Sequence, residues 1–192
     1  MIPKAAAALA ILLTATALAR ARTIQIVAFG DSATAGYLVA WHESYPAQLQ
    51  AALRARGYDA VVRNEGMSGD TTAGALRRFD TAIGPGTDVA IVEFGTNDLR
   101  QHVPMHTVQS HLSNIVNTLR ARHIEVMLVG LGRLDLSAVA RSKNILYAQW
   151  KLPPGKYRAR DGAHFNAEGY AILVRQILPA IETLIARAKA RR

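Results

Sequence analysis

The sequence predicts an α/β domain, with a parallel β-sheet covered by helices on both faces. Strand-like and helix-like segments alternate along the chain, and the strand-like ones are continuous apolar runs. A strand that is apolar on both faces must be buried on both, as in a parallel sheet between two helical layers. The size agrees: 192 residues, half of them hydrophobic, suit one domain with its own core.

In order, residues 23–29 (TIQIVAF) form a buried strand rich in β-branched residues. Residues 44–56 carry helical spacing at Tyr45, Leu49, Ala52 and Leu53, and Gly57 stops them. A second strand covers 60–63 and a second helix 71–79. Residues 88–94 (DVAIVEF) are the clearest buried strand. A long helix over 105–122 places Val108, Leu112, Ile115, Val116 and Leu119 on one face. Residues 124–129 (IEVMLV) form a strand, 137–143 a brief helix and 145–148 a short last strand, followed by a Pro153-Pro154-Gly155 turn. The closing helix over 166–188 buries Tyr170, Leu173, Val174, Ile177 and Leu178, and Pro179 is expected to kink it.

Residues 1–21 read as a secretory signal peptide. Lys4 supplies the positive start, 5–18 is an uncharged Ala/Leu-rich run, and small residues place cleavage after Ala19 or Ala21. The apolar run is short for a membrane span, which takes about 20 residues. The folded domain is therefore expected over 22–192, secreted or periplasmic. Without cysteine, the chain can form neither a disulfide nor a zinc–thiolate site. The formal charge of +9 comes from scattered residues, with no basic stripe carrying interleaved aromatics. That argues against nucleic acid as partner and leaves room for weak attraction to anionic surfaces. A monomer is expected.

In a doubly covered parallel sheet, ligands bind outside the carboxyl ends of the strands. The segments at that edge are small and polar. Gly30-Asp31-Ser32 follows the first strand, residues 64–70 (NEGMSGD) the second, and Gly95-Thr96-Asn97-Asp98 the third. Asp161-Gly162-Ala163-His164 precedes the last helix. These residue types suit acyl transfer. A serine hydroxyl needs a base to take its proton, and His164 can serve. Asp161, three residues earlier, can fix the imidazole tautomer and stabilise the imidazolium. Donors for an oxyanion are available in the N–H groups of Ser32 and Gly69 and the side-chain amide of Asn97. Thr34 stands where a Gly-x-Ser-x-Gly elbow needs its second glycine, which argues against the α/β-hydrolase fold.

Phe29-Gly30-Asp31-Ser32 with Thr34-Ala35-Gly36-Tyr37, residues 66–71, Gly95-Thr96-Asn97-Asp98 and Asp161-Gly162-Ala163-His164 stand in order across nearly the whole domain. In these four blocks the chain resembles the SGNH (GDSL) hydrolase family, in particular its small secreted bacterial esterases of thioesterase, arylesterase and lysophospholipase type. The resemblance implies a flavodoxin-like three-layer α/β/α sandwich and a serine esterase acting on small-molecule esters without cofactor or metal. It implies Ser32 as nucleophile, His164 as base, Asp161 as its partner, and Gly69 and Asn97 as oxyanion donors beside the Ser32 N–H. Three features depart from the pattern: Ala33 in place of leucine, Phe165 in place of proline at the rim, and a short stretch over 130–160 that bears on the substrate rather than the reaction.

Other readings compete. A carbohydrate O-acetylesterase would use the same residues, and a non-catalytic binding module would keep the fold alone. Ser32 can cap a helix, and Asn97 and Asp98 can form a turn. Asp31 and Asp98 are expected to bond local backbone N–H groups, while Asp70 has no assigned role. His102 and His106 are four apart, but Pro104 between them speaks against a metal pair. Trp41, Tyr37 and Tyr45 suit either a groove or the core.

Overall fold

The computed structural model describes residues 22–151 and 154–191. The expected signal segment, residues 1–21, lies outside the described residues, as does Pro153 of the expected turn.

Five parallel strands form one sheet: β1 (Ile24–Gly30), β2 (Ala60–Gly66), β3 (Val89–Glu93), β4 (Glu125–Leu131) and β5 (Leu146–Trp150). Their spatial order is β2-β1-β3-β4-β5. The helices are α1 (Ser32–Ala35), α2 (Tyr45–Ala55), α3 (Thr72–Arg77), α4 (Phe79–Ala82), α5 (Thr96–Arg100), α6 (Met105–Ala121), α7 (Ser137–Lys143) and α8 (Ala167–Ala190). Short 3-10 turns lie at Trp41–Glu43 and Gly155–Tyr157. The expected α/β class with a parallel sheet is the one observed.

The strands are apolar because each face is covered. Ile24, Ile26 and Ala28 pack with α2 and α8 on one side. Val27 and Phe29, the intervening residues, pack with α3, α4 and α6 on the other. Phe29 contacts Phe79 and Phe94 edge-on, at 6.1 and 4.8 Å between ring centroids. Tyr45 is buried against Trp150 and Tyr170, so it belongs to the core, whereas Trp41 is 73% exposed.

Two elements differ most from the sequence reading. β2 runs on to Gly66 because Asn64, Glu65 and Gly66 pair in register with Ala28, Phe29 and Gly30 of β1. The expected helix over 71–79 is broken at Arg78, which separates α3 from α4. The closing helix α8 holds Pro179 within one continuous element. Pro179 sits on the exposed side, where the carbonyl that loses its N–H partner can be hydrated.

The register brings Gly30, Gly66 and Glu93 side by side where the sheet ends. Glycine is required at 66, where a Cβ would stand 2.1 Å from the Ala35 backbone nitrogen. The close approach seats α1 on the sheet edge and fixes the residue that begins it, Ser32.

Candidate active site

Asp31 ends the β1 turn and caps α1, its Oδ1 accepting from the Ala33 N–H at 3.0 Å. The cap belongs to Asp31 and not to Ser32, which is left facing a cavity at the carboxyl edge. On the far side of that cavity, residues 159–165 fold back on themselves. Ala159 N–H donates to the His164 carbonyl, and Gly162 takes a left-handed backbone at φ +68°. Asp161 Oδ1 accepts from the N–H groups of Ala163 and His164, both at 3.0 Å. This small turn aims the imidazole back at α1.

The result is a relay across 132 residues of chain: His164 Nε2 lies 2.8 Å from Ser32 Oγ, and His164 Nδ1 lies 2.5 Å from Asp161 Oδ2. Both of these atoms of the ring are thereby engaged, one by a hydroxyl and one by a carboxylate. The hydrogen bond from His164, with those from its backbone and Ala163, holds the Asp161 carboxyl well below the usual carboxylate range. Tyr37 lies over the imidazole at 4.9 Å between ring centroids.

Of the three expected oxyanion donors, Ser32 and Gly69 leave their backbone N–H groups without a partner among the described residues. Gly69 takes φ +81° in the exposed β2–α3 loop and does not line the cavity itself. Asn97 does line it, and its amide nitrogen donates to Asp31 Oδ2 at 3.1 Å and to the Asp70 carbonyl at 2.8 Å. Both partners are acceptors, which fixes the amide orientation. The second bond ties the loop bearing Gly69 to the start of α5.

Several contributors were not visible in the sequence. Glu93, inside the apolar β3 run, is 1% exposed and accepts from Thr34 Oγ1 at 3.0 Å. The carboxyl of Asp31 is equally buried. Burial pushes both up, and the charge of Asp31 pushes Glu93 further. Asp31 receives N–H donors from Ala33 and Asn97, which favour its charged form.

Arg78 is the second. Its guanidinium donates to Asp70 Oδ2 at 2.7 Å, to the Glu65 carbonyl at 2.9 Å and to the Gly30 carbonyl at 3.0 Å. It also lies 4.6 Å from the centroid of the Phe29 ring. Asp70 thus acquires a structural role. The expected local bonding of Asp31 is observed, but Asp98 reaches across the fold, taking the N–H and hydroxyl of Thr72, whose Oγ1 also meets His111 Nδ1 at 2.9 Å. His102 lies outside α6, in the turn before it, while His106 is inside.

The cavity has a volume of about 380 Å³. Ser32, Asn97 and His164 line it, and Leu99, Leu131, Leu134 and Phe165 supply apolar surface. Phe165, expected at the rim, is 1% exposed and packs its ring on Trp150 and Tyr170.

A parallel five-stranded sheet with Ser, His and Asp assembled at its carboxyl edge defines a class of hydrolase-like α/β proteins. The comparisons give the family. Residues 28–172 match the GDSL-like Lipase/Acylhydrolase family, so the chain belongs to it. It is 31% identical over 106 residues to an arylesterase of Vibrio mimicus, covering 55% of this chain and 53% of that one. It is 32% identical over 114 residues to the esterase TesA of Pseudomonas aeruginosa, covering 59% and 56%. The matched segments thus span about half the length of these curated relatives. Among solved structures, the SGNH-hydrolase family esterase AlinE4 is 31% identical with a TM-score of 0.67, over 84% of this chain and 96% of that one.

Proposed function

We propose that the protein is a serine esterase hydrolysing carboxylic ester or thioester bonds through an acyl-enzyme. One observation carries this reading: a histidine nitrogen 2.8 Å from the Ser32 hydroxyl, with a carboxylate on the other nitrogen.

Ser32 Oγ attacks the ester carbonyl while His164 Nε2 takes its proton. Asp161 holds the Nδ1 proton and stabilises the imidazolium without itself being protonated. Its depressed pKa suits that task, because a carboxyl held strongly ionised does not compete for the proton. The tetrahedral oxyanion is met by the N–H groups of Ser32 and Gly69 and by Asn97. Asn97 contributes by sharing the N–H that reaches Asp31, the longer of its two bonds. His164 then returns the proton to the departing alcohol or thiol. In the second half, water attacks the Ser32 ester, with His164 again as base. No step uses a cofactor or metal.

We further propose that residues 1–21 direct export and are removed, leaving the domain 22–192 outside the cytoplasm. The amino-terminal mass of protein recovered from periplasm or medium tests this. Cleavage after Ala19 or Ala21 is expected, and a retained Met1 would refute it.

The reaction is tested with 4-nitrophenyl acetate, butyrate, octanoate and palmitate. Ser32→Ala is expected to lower kcat by at least about a thousandfold and to abolish stoichiometric labelling by a fluorophosphonate. Wild-type protein that neither turns over these esters nor takes the label would return the chain to a binding module.

A further inference from the structure

The charge around the cavity is one-sided. Arg100 at the end of α5 and Arg133 in the β4–α7 loop both line it, although 33 residues separate them in the chain. A third arginine at the cavity, Arg158, donates to the Gly162 carbonyl at 2.7 Å and thereby braces the turn that carries Asp161 and His164. Among the described residues the one acidic residue in the lining is Asp31, which is buried and bonded to Ala33 and Asn97.

Away from the cavity, Arg56, Arg63, Arg78, Arg122 and Arg191 each pair with a carboxylate, whereas the exposed Arg77, Arg160, Arg175 and Arg187 do not. The side chains of Arg100 and Arg133, also exposed, make no hydrogen bond or ion pair among the described residues. What sets these two apart is their place: separate elements bring both to the cavity that Ser32 and His164 line. An anion in that cavity can engage them through the forked N–H geometry that suits carboxylate and phosphate oxygens. The same cavity presents Leu99 and Leu134, so an apolar segment of the ligand has surface to lie against.

Resting on the esterase reading, we infer that the natural substrate is an ester bearing a carboxylate or phosphate group, held by Arg100 and Arg133 while an apolar segment lies against Leu99 and Leu134. The anion can sit on either side of the scissile bond, and the test separates the two.

Three esters are compared at low ionic strength: 4-nitrophenyl hexanoate, the mono-4-nitrophenyl ester of adipic acid (charge on the acyl side) and 3-carboxy-4-nitrophenyl hexanoate (charge on the leaving group). One charged ester is expected to exceed the neutral one in kcat/KM by about tenfold, chiefly through KM. That ratio should collapse towards one in the Arg100→Gln/Arg133→Gln double variant and with added salt. Arg175→Gln, on the exposed face of α8 and outside the cavity lining, removes one such unit of charge and should leave the ratio as it was. Two results would overturn the inference while leaving the esterase standing: a ratio of one or less for both charged esters, or an equal fall in Arg175→Gln, which would assign the preference to the overall field. Turnover of none of the three would remove the esterase reading and this inference together.

Discussion

Carboxyl groups approach Ser32 from two sides, in opposite surroundings. In front, Asp161 stands on a solvent-facing turn with its side chain 30% exposed, and three hydrogen bonds hold it ionised. Behind, Asp31 and Glu93 are buried at the sheet edge and are pushed towards protonation. On the proposed mechanism the front acid polarises the histidine, and it contributes little to the core. The rear pair, with Arg78 and Asp70, fixes the elements that present Ser32, Asn97 and the Gly69 loop. That mechanism lodges activity and stability in different carboxyl groups, and substitutions should separate them.

The largest effect is expected in front. Asp161→Asn keeps an oxygen for the Ala163 and His164 N–H groups but presents no negative charge to His164 Nδ1. On the proposed mechanism, kcat should fall by about 10³ to 10⁴-fold. The midpoint of urea unfolding should move little, because the group is exposed and its backbone bonds survive. A large loss of stability would show that the turn, and not the charge, is what Asp161 supplies.

The converse is expected behind. Arg78→Met retains the stem over Phe29 but strands the Asp70 carboxylate, 7% exposed, and two strand-end carbonyls. Removing one partner of a largely buried pair costs about 3–5 kcal/mol of unfolding free energy. Activity should fall with it, since Asn97 is anchored on the Asp70 carbonyl. Arg78→Lys, with charge but no fork, should fall between. Denaturant titrations of the three proteins check this, and an unchanged midpoint in Arg78→Met would remove the rear frame from the account.

The front of the site was legible in the sequence and the rear was not, for a physical reason. Ser32, Asn97, Asp161 and His164 sit in short polar blocks that interrupt apolar runs, so their positions at strand ends follow from local pattern. Glu93 sits within such a run and reads as one more strand residue. Its protonation depends on Asp31, 62 residues earlier, which only the β1–β3 register brings close. Arg78 reads as an ordinary cation in a helix, whereas its bonds to Gly30, Glu65 and Asp70 pull the chain out of helical course there. Asp98 reads as a turn residue because its partner, Thr72, lies 26 residues away. The β strands, α6 and α8 were legible because burial of one face or two imposes its period on the sequence. The cavity wall was not, because its residues come from four separate segments of the chain.

Proton linkage sharpens the contrast, since the two sides should respond to pH with opposite sign. A carboxyl depressed in the folded state, as in Asp161, contributes stability above its unfolded pKa and loses it as pH falls. A carboxyl raised in the folded state, as in Glu93, binds more proton folded than unfolded. Stability then declines as pH rises from the ordinary glutamate pKa of 4.5 towards the folded one. Glu93→Gln is neutral at every pH and still accepts from Thr34. Relative to wild type it should gain stability as pH rises above about 5, with a slope of at most about 1.4 kcal/mol per pH unit for one proton. Urea unfolding at several pH values measures the difference. A constant offset would mean that Glu93 is ionised in the folded protein.

The smallest effect belongs to Tyr37, which contacts the front of the site without holding any of its charge. Its ring is 45% exposed and lies over the His164 imidazole. Aromatic contacts of this kind contribute about 0.5–1.5 kcal/mol beyond burial. Tyr37→Ala should therefore loosen the imidazole and lower kcat by about two- to tenfold, with Tyr37→Phe close to wild type, because the contact is made by the ring and not the hydroxyl. If Phe loses as much as Ala, the hydroxyl meets the substrate, and the front of the site extends beyond the histidine and its acid.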